Sequence, residues 1–196
     1  VRMAMMFAAP PEQSFEWSEN GVESANRWLR SKLWNPVMEH LADGDTPELD
    51  RSSLTDEQKN IRRVTHELIG KAFDDYGRRL SFNTIIAAVM SLMNLVLKFE
   101  DKSGQGRAVR GEALNTAVLV MSPITPHICH LLWKELNDEA LEEATWLEVD
   151  ESALVKSVVD VVVQVNGKLR GKIEVAPDSE QDEIEAQARS IENVEK

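Results

Sequence analysis

Lys168, Arg170 and Lys172 occupy alternate positions in the stretch VVVQVNGKLRGKIEV, residues 161–175. Side chains two apart on a strand share a face, so this spacing lines up three cations about 7 Å apart. Such a row can make charge-assisted hydrogen bonds to an anion, phosphate above all. It can equally be a solvated strand face that blocks edge-to-edge pairing. A second cationic set, Lys59, Arg62 and Arg63 with His66, falls at helical spacing. There too a phosphate contact competes with an ordinary solvated face, because Asp56, Glu57 and Glu67 lie close enough to pair.

Other residue groups that could carry chemistry do not assemble. His127, Cys129 and His130 lie within four residues, but Cys129 leaves the face His127 and His130 would share, and no His or Cys follows downstream. They read as core packing and helix capping rather than a metal site. SGQGR, residues 103–107, is too short and wrongly placed for a phosphate-cradling loop. Arg78 and Arg79 suit the negative end of a helix dipole, and the acid pairs Asp74/Asp75 and Glu142/Glu143 read as surface. No nucleophile is paired with a base. The residues themselves point to binding, not to catalysis.

The elements that must position these cations follow from periodicity. The hairpin holding Lys168, Arg170 and Lys172 turns at Asn166-Gly167. A three-residue loop, 165–167, with a bulge would set Gln164 opposite Lys168, Val163 opposite Leu169 and Val162 opposite Arg170. That register gathers Val159, Val161, Val163, Leu169 and Ile173 on one face and the cations with Gln164 and Asp160 on the other, so burial selects it.

Residues 1–137 read as five helices packed as an antiparallel bundle. The first runs from about Glu16 to Leu41, with Pro36 predicting a kink or break near Asn35. The second starts at a Thr55 cap with Gln58 in capping-box position and ends at Gly77. The third, through Ile85, Val89, Leu92, Met93 and Val96, has the widest apolar arc and is expected to be the most buried. A fourth spans about 107–121, and Thr125-Pro126 opens the last. Residues 138–157 read as an acidic linker with Trp146 and Leu147 available to dock on the bundle. Residues 158–196 read as a small α+β unit of one hairpin and one helix, too little to bury a good core alone.

The 196 residues carry formal net charge -12. The deficit sits in two flanks of the hairpin, -6 over residues 138–157 and -5 over 176–196, while 1–137 carry only -2. Nonspecific polyanion binding is therefore disfavoured. A single cysteine, Cys129, excludes an internal disulfide and suits a reducing compartment. No apolar run approaches the roughly 20 residues that a membrane span needs. The opening VRMAMMFAAP reads as a helix entered in mid-flow, hence as a piece of something longer.

Four blocks then resemble one family in order and spacing. MFAAPPEQSFEWSENGVESANRWLRSKLW, GRRLSFNTIIAAVMSLMN, MSPITPHICHLLWKEL and VVVQVNGKLRGKI are similar to the C-terminal part of bacterial leucyl-tRNA synthetase. The resemblance implies a helical anticodon-binding-type bundle followed by a C-terminal domain that reaches the tRNA elbow. It implies a parent enzyme that joins leucine to its tRNA through leucyl-adenylate, using ATP and magnesium, in the cytoplasm. The HIGH-like and KMSKS-like motifs of that chemistry do not occur here, so this region is expected to be catalytically silent and without a cofactor of its own. Its implied partners are leucine-accepting tRNA and the upstream catalytic domain of the same chain, with no membrane. The implied RNA-binding residues are Lys168, Arg170, Lys172, Lys59, Arg62 and Arg63. The family's small domain continues with further strands, so the last unit is expected to be truncated. Two other readings stand beside this one. They are the same region of a valyl, isoleucyl or methionyl enzyme, and a helical protein-interaction module using Met3, Met5, Met6 and Phe7.

Overall fold

The computed structural model describes residues 1–155, 159–166, 168–175, 179 and 181–190. They form two compact units, Val1–Leu154 and Val155–Lys196.

The first unit is a bundle of helices. A short helix α1 (Arg2–Ala8) precedes a continuous helical run made of α2 (Glu19–Trp28), a π-helical turn (Leu29–Trp34) and α3 (Asn35–Ala42). Pro36 does bend the pattern, but without breaking it. Proline supplies no N–H and its ring crowds the carbonyl four residues back, and the wider π turn just upstream gives that carbonyl room. The face Leu33, Val37 and His40 is buried.

Helix α4 (Asp56–Asp74) starts in the capping box read from the sequence. Thr55 Oγ1 accepts from the Gln58 N–H at 3.3 Å, and Gln58 Oε1 accepts from the Thr55 N–H at 2.9 Å. Gly77 does not end this helix. A π turn, Asp75–Arg79, carries it on to Leu80, which closes it in the left-handed region at φ 50°. Asp75 explains the extension, and it is not at the surface. Its side chain is fully enclosed, taking Lys71 Nζ at 2.7 Å, Arg79 at 3.3 Å and the Thr84 hydroxyl, while its carbonyl accepts from the Ser81 N–H.

Helix α5 (Phe82–Lys98) buries the arc Ile85, Ile86, Val89, Leu92, Met93 and Val96. The most buried helix, however, is α6 (Gly104–Met121), which packs against α3, α4, α5 and α7 (Pro126–Asn137). An amphipathic stripe marks a helix with one wet side. A helix surrounded by others is lined by small residues all round, here Ala108, Gly111, Ala113 and Ala117, and has no stripe to read.

Residues 138–154 are not a linker. Leu141, Ala144, Trp146 and Leu147 pack on the core, with the Trp146 ring edge-on to Tyr76 at 6.0 Å. A terminal 3-10 turn, Glu151–Leu154, lies on α4 with Ala153 buried. The boundary falls after Leu154, seventeen residues later than composition placed it.

The second unit pairs β1 (Val159–Val165) with β2 (Lys168–Val175), antiparallel, and adds α8 (Gln181–Arg189). The register corrects the expected loop. Val165 pairs with Lys168 and Gln164 with Leu169, so the loop has two residues, and Asn166 takes the positive φ (53°) that such a turn requires. The next pair is Val163 with Gly171, which leaves Arg170 as an extra residue on β2. This bulge sits in the strand, not in the turn. It restores the alternation that a bare two-residue loop would have lost: Val161, Val163, Gly171 and Ile173 are half-buried, while Val162, Gln164, Lys168, Arg170 and Lys172 are exposed. The sequence offers Asp178 or Ser179 as the cap of this last helix and Ile184, Ala188 and Ile191 as its apolar stripe, and of these Asp178 and Ile191 lie outside the described residues.

Candidate nucleic-acid interface

Strand β2 presents Lys168, Arg170 and Lys172 to solvent, as the alternation requires. The bulge moves Arg170 out of the ladder, because it opposes no residue of β1. Lys172 lies opposite Val162, itself 48% exposed, so the cationic face is bordered by one apolar side chain. Flexible cations on a twisted ribbon suit phosphate oxygens, which accept from any direction and carry no sequence information.

The cations of α4 divide. Lys59 and Arg63 lie four residues apart on its outer side; Lys59 stands 3.7 Å from Asp56, and Arg63 reaches Glu67 at 2.5 Å and Asn60 at 2.7 Å. The Lys59 pair is exposed and the Arg63 pair half-buried; an exposed pair contributes at most about 1 kcal/mol, so an anionic ligand can exchange with Lys59 at little cost. Arg62 is different, and its expected role as an RNA contact is corrected. It is 3% exposed and faces inward. Its Nε donates to Glu112 at 2.8 Å, and its terminal nitrogen donates to Glu112 at 3.1 Å and to Asp150 at 2.9 Å. A buried guanidinium with two carboxylate partners has no free face for phosphate.

His66 completes that cluster. Its Nδ1 accepts from the Asp150 N–H at 3.0 Å, which leaves Nε2 as the protonated nitrogen of the neutral ring, 3.2 Å from Glu112. Asp150 also accepts from the Ser152 N–H and hydroxyl at 3.0 and 2.6 Å, and Arg51 approaches it at 3.2 Å. Those Ser152 bonds and Arg62 hold the Asp150 carboxyl far below the usual carboxylate range. Burial pushes Glu112 up, but the bonds from His66 and Arg62 outweigh it and keep Glu112 ionised. Periodicity could not find this cluster, because Glu112 and Asp150 lie far along the chain from Arg62 and His66.

The remaining candidates resolve into structure. Cys129 is buried beside Thr125, its thiol pushed up to about 12 by burial, and His130 reaches outward to Glu142 at 3.3 Å. Among the described residues no group of His, Cys, Asp or Glu is placed to hold a metal ion. The Ser103 hydroxyl caps α6 by accepting from the Gly106 N–H at 3.0 Å, with the Asp101 carboxylate beside it. An acidic neighbour repels phosphate, so this loop does not fit a nucleotide. Of the apolar set at the N-terminus, Met3 is buried and Met6 packs on the core, leaving Met5 and Phe7 exposed. No described helix is long and apolar enough to cross a membrane.

Comparison with known proteins converges on one assignment. The leucine–tRNA ligase of Marinobacter nauticus is 55% identical over 195 residues, which cover 99% of this chain and 22% of that protein. The enzymes of Chromohalobacter salexigens and Stenotrophomonas maltophilia (strain K279a) are each 54% identical, over 99% and 100% of this chain and 23% and 22% of theirs. The chain thus spans about a fifth of the length of these relatives. In fold it matches the LeuRS chain of a ternary LeuRS–tRNA–LeuAMS complex from Agrobacterium radiobacter K84, with a TM-score of 0.82 at 21% identity, covering 99% of this chain and 25% of that one. The model of the anticodon-binding domain of tRNA ligases matches residues 58–186, and the chain belongs to that family.

Proposed function

We propose that this chain is the tRNA-positioning region of a leucine–tRNA ligase. The parent enzyme attaches leucine to its tRNA in the cytoplasm, and the catalytic centre, with its ATP and magnesium, lies in an upstream domain of the same polypeptide. End-to-end identity with leucine–tRNA ligases carries the reading. The helical bundle, extended to Leu154, serves as the scaffold, and the unit from Val155 onward carries the RNA-facing hairpin. Lys168, Arg170 and Lys172 contact tRNA phosphates, with Lys59 and Arg63 as a second cationic surface. Arg62 leaves the set because it is buried.

The test uses the full-length ligase with Lys168, Arg170 and Lys172 changed together to Ala, and measures leucine-tRNA affinity across salt concentration. Each lost phosphate contact lowers the slope of log K against log salt by about 0.7–0.9, so the slope should fall by roughly 2 to 3. Unchanged affinity at low salt with an unchanged slope would remove the hairpin from the interface.

A further inference from the structure

The first unit ends at Leu154, and the chain reaches that point along a strap, 148–154, that is fastened to the bundle. The fastening is specific. Arg62, buried in α4, donates to the Asp150 carboxylate at 2.9 Å, and His66 takes the Asp150 backbone N–H at 3.0 Å. Glu112 on α6 holds both Arg62 and His66 from the other side. Val149 passes over Gly70, where an added Cβ would stand 3.7 Å from its Cγ2, so the strap runs close to the α4 backbone. Few apolar groups share the work: upstream of Val149 the strap is anchored by Trp146 and Leu147, and after it by Ala153 alone. An arginine committed inward on a helix whose neighbours Lys59 and Arg63 face outward is costly to desolvate. Its chief product is the fixed position of Asp150.

We propose that Arg62, His66, Glu112 and Asp150 are positioning residues for tRNA binding: they latch the strap so that the chain stays fastened to the bundle as far as Leu154. The inference rests on the hairpin being an RNA contact. With the latch closed, four residues (155–158) separate the end of the 3-10 turn, Leu154, from the first residue of β1. Opening it leaves Leu147 as the last strong anchor and lengthens that span to eleven residues, 148–158. Effective concentration falls roughly as the −3/2 power of tether length, so the second unit's contribution to tRNA binding should weaken about fivefold with no contact removed.

The experiment uses the full-length ligase carrying Asp150→Ala, which removes the strap's carboxylate anchor while Arg62 keeps both bonds to Glu112 and His66 keeps the backbone N–H at position 150. Three quantities are read: hydrogen-exchange protection of residues 148–154, Kd for leucine tRNA, and leucine activation by pyrophosphate exchange. The expected result is lost protection, a Kd raised about fivefold, and unchanged activation. A second variant adds Gly70→Cys and Val149→Cys, whose disulfide refastens the strap; oxidation should restore affinity and reductant should abolish the rescue. That redox-dependent recovery, seen together with unchanged leucine activation, separates the latch from a general loss of folding. Retained protection in Asp150→Ala overturns the latch. Lost protection with unchanged tRNA affinity overturns the positioning role, provided that the Lys168/Arg170/Lys172→Ala variant weakens binding. If that triple variant is also silent, the RNA-contact reading of the hairpin fails and the positioning inference falls with it.

Discussion

Gly111, in the middle of α6, is where the helix meets the loop that follows α3. A Cβ built there would lie 2.7 Å from Thr46 Cγ2 and 3.2 Å from His40 Nε2, well inside ordinary contact. Thr46 cannot easily retreat. Its hydroxyl is bonded to His40 Nε2 at 2.7 Å, and Arg107 donates to the carbonyls of Gly44 and Asp45 at 2.7 and 2.9 Å, pinning the loop. Two effects oppose each other in Gly111→Ala. Alanine favours the helix over glycine by about 1 kcal/mol, whereas overpacking a filled site costs about 1–3 kcal/mol. The clash wins or breaks even, so the single change should destabilise by roughly 0–2 kcal/mol. Thr46→Ser removes the clashing methyl and keeps the hydroxyl bonded to His40. In that background Gly111→Ala should instead be neutral or stabilise by up to about 1 kcal/mol, its helix gain opposed only by the closer approach to His40 Nε2. The coupling between the two positions is then about 1–3 kcal/mol. Urea unfolding followed by tryptophan fluorescence measures it. All five tryptophans lie within Val1–Leu154, so the signal reports that unit alone. If Gly111→Ala shifts the midpoint equally with and without Thr46→Ser, the close approach does not govern this site and the reasoning fails.

Two further outcomes follow from buried groups. Burial raises the Asp75 carboxyl, but the bonds from Lys71 and Thr84 outweigh it and hold it below its ordinary value. A depressed carboxylate contributes its full stability above the unfolded pKa and loses it as pH falls through the folded one; Asp75→Asn should therefore cost about 3 kcal/mol at pH 7 and progressively less below pH ~4. Equal urea-midpoint shifts at pH 7 and pH 3 would contradict this. Cys129, buried with its thiol pushed up to about 12, should resist a thiol reagent at pH 8 in the native chain and react fully in denaturant, and rapid native labelling would refute the assignment.

What was legible in the sequence, and what was not, divides along the range of the interaction. The Thr55–Gln58 capping box, the Thr125-Pro126 start of α7 and the apolar arc of α5 are set by residues within a turn or two, and they stand in the structure as read. The hairpin's exposed cations were legible for the same reason, since alternation is local. Its register was not. Two loop lengths that differ by one residue give the same alternation once a bulge is allowed, and the bulge fell at Arg170 instead of in the turn. Helix α6 was underrated because a central helix carries no stripe. Asp75 reads as a surface acid in the sequence because its enclosure depends on Thr84, nine residues on, and on the π turn itself.

Arg62 shows the limit most clearly, and with a functional consequence. By spacing it belonged with Lys59 and Arg63, and all three could have faced RNA. Its partners lie 50 and 88 residues away in sequence, beyond any window that periodicity can use. Local pattern assigns a cation to a helix flank, but only long-range pairing decides whether that flank is wet. The same pairing explains why 138–154 looked like a linker: its acidity suggested solvation, while one of its carboxylates, Asp150, was the counter-ion that Arg62 required. An acidic segment that supplies a buried cation's partner is part of the fold, however polar its composition. At this point of α4 the cation is therefore committed to Asp150 and Glu112, and what it holds is the chain segment that precedes the hairpin unit.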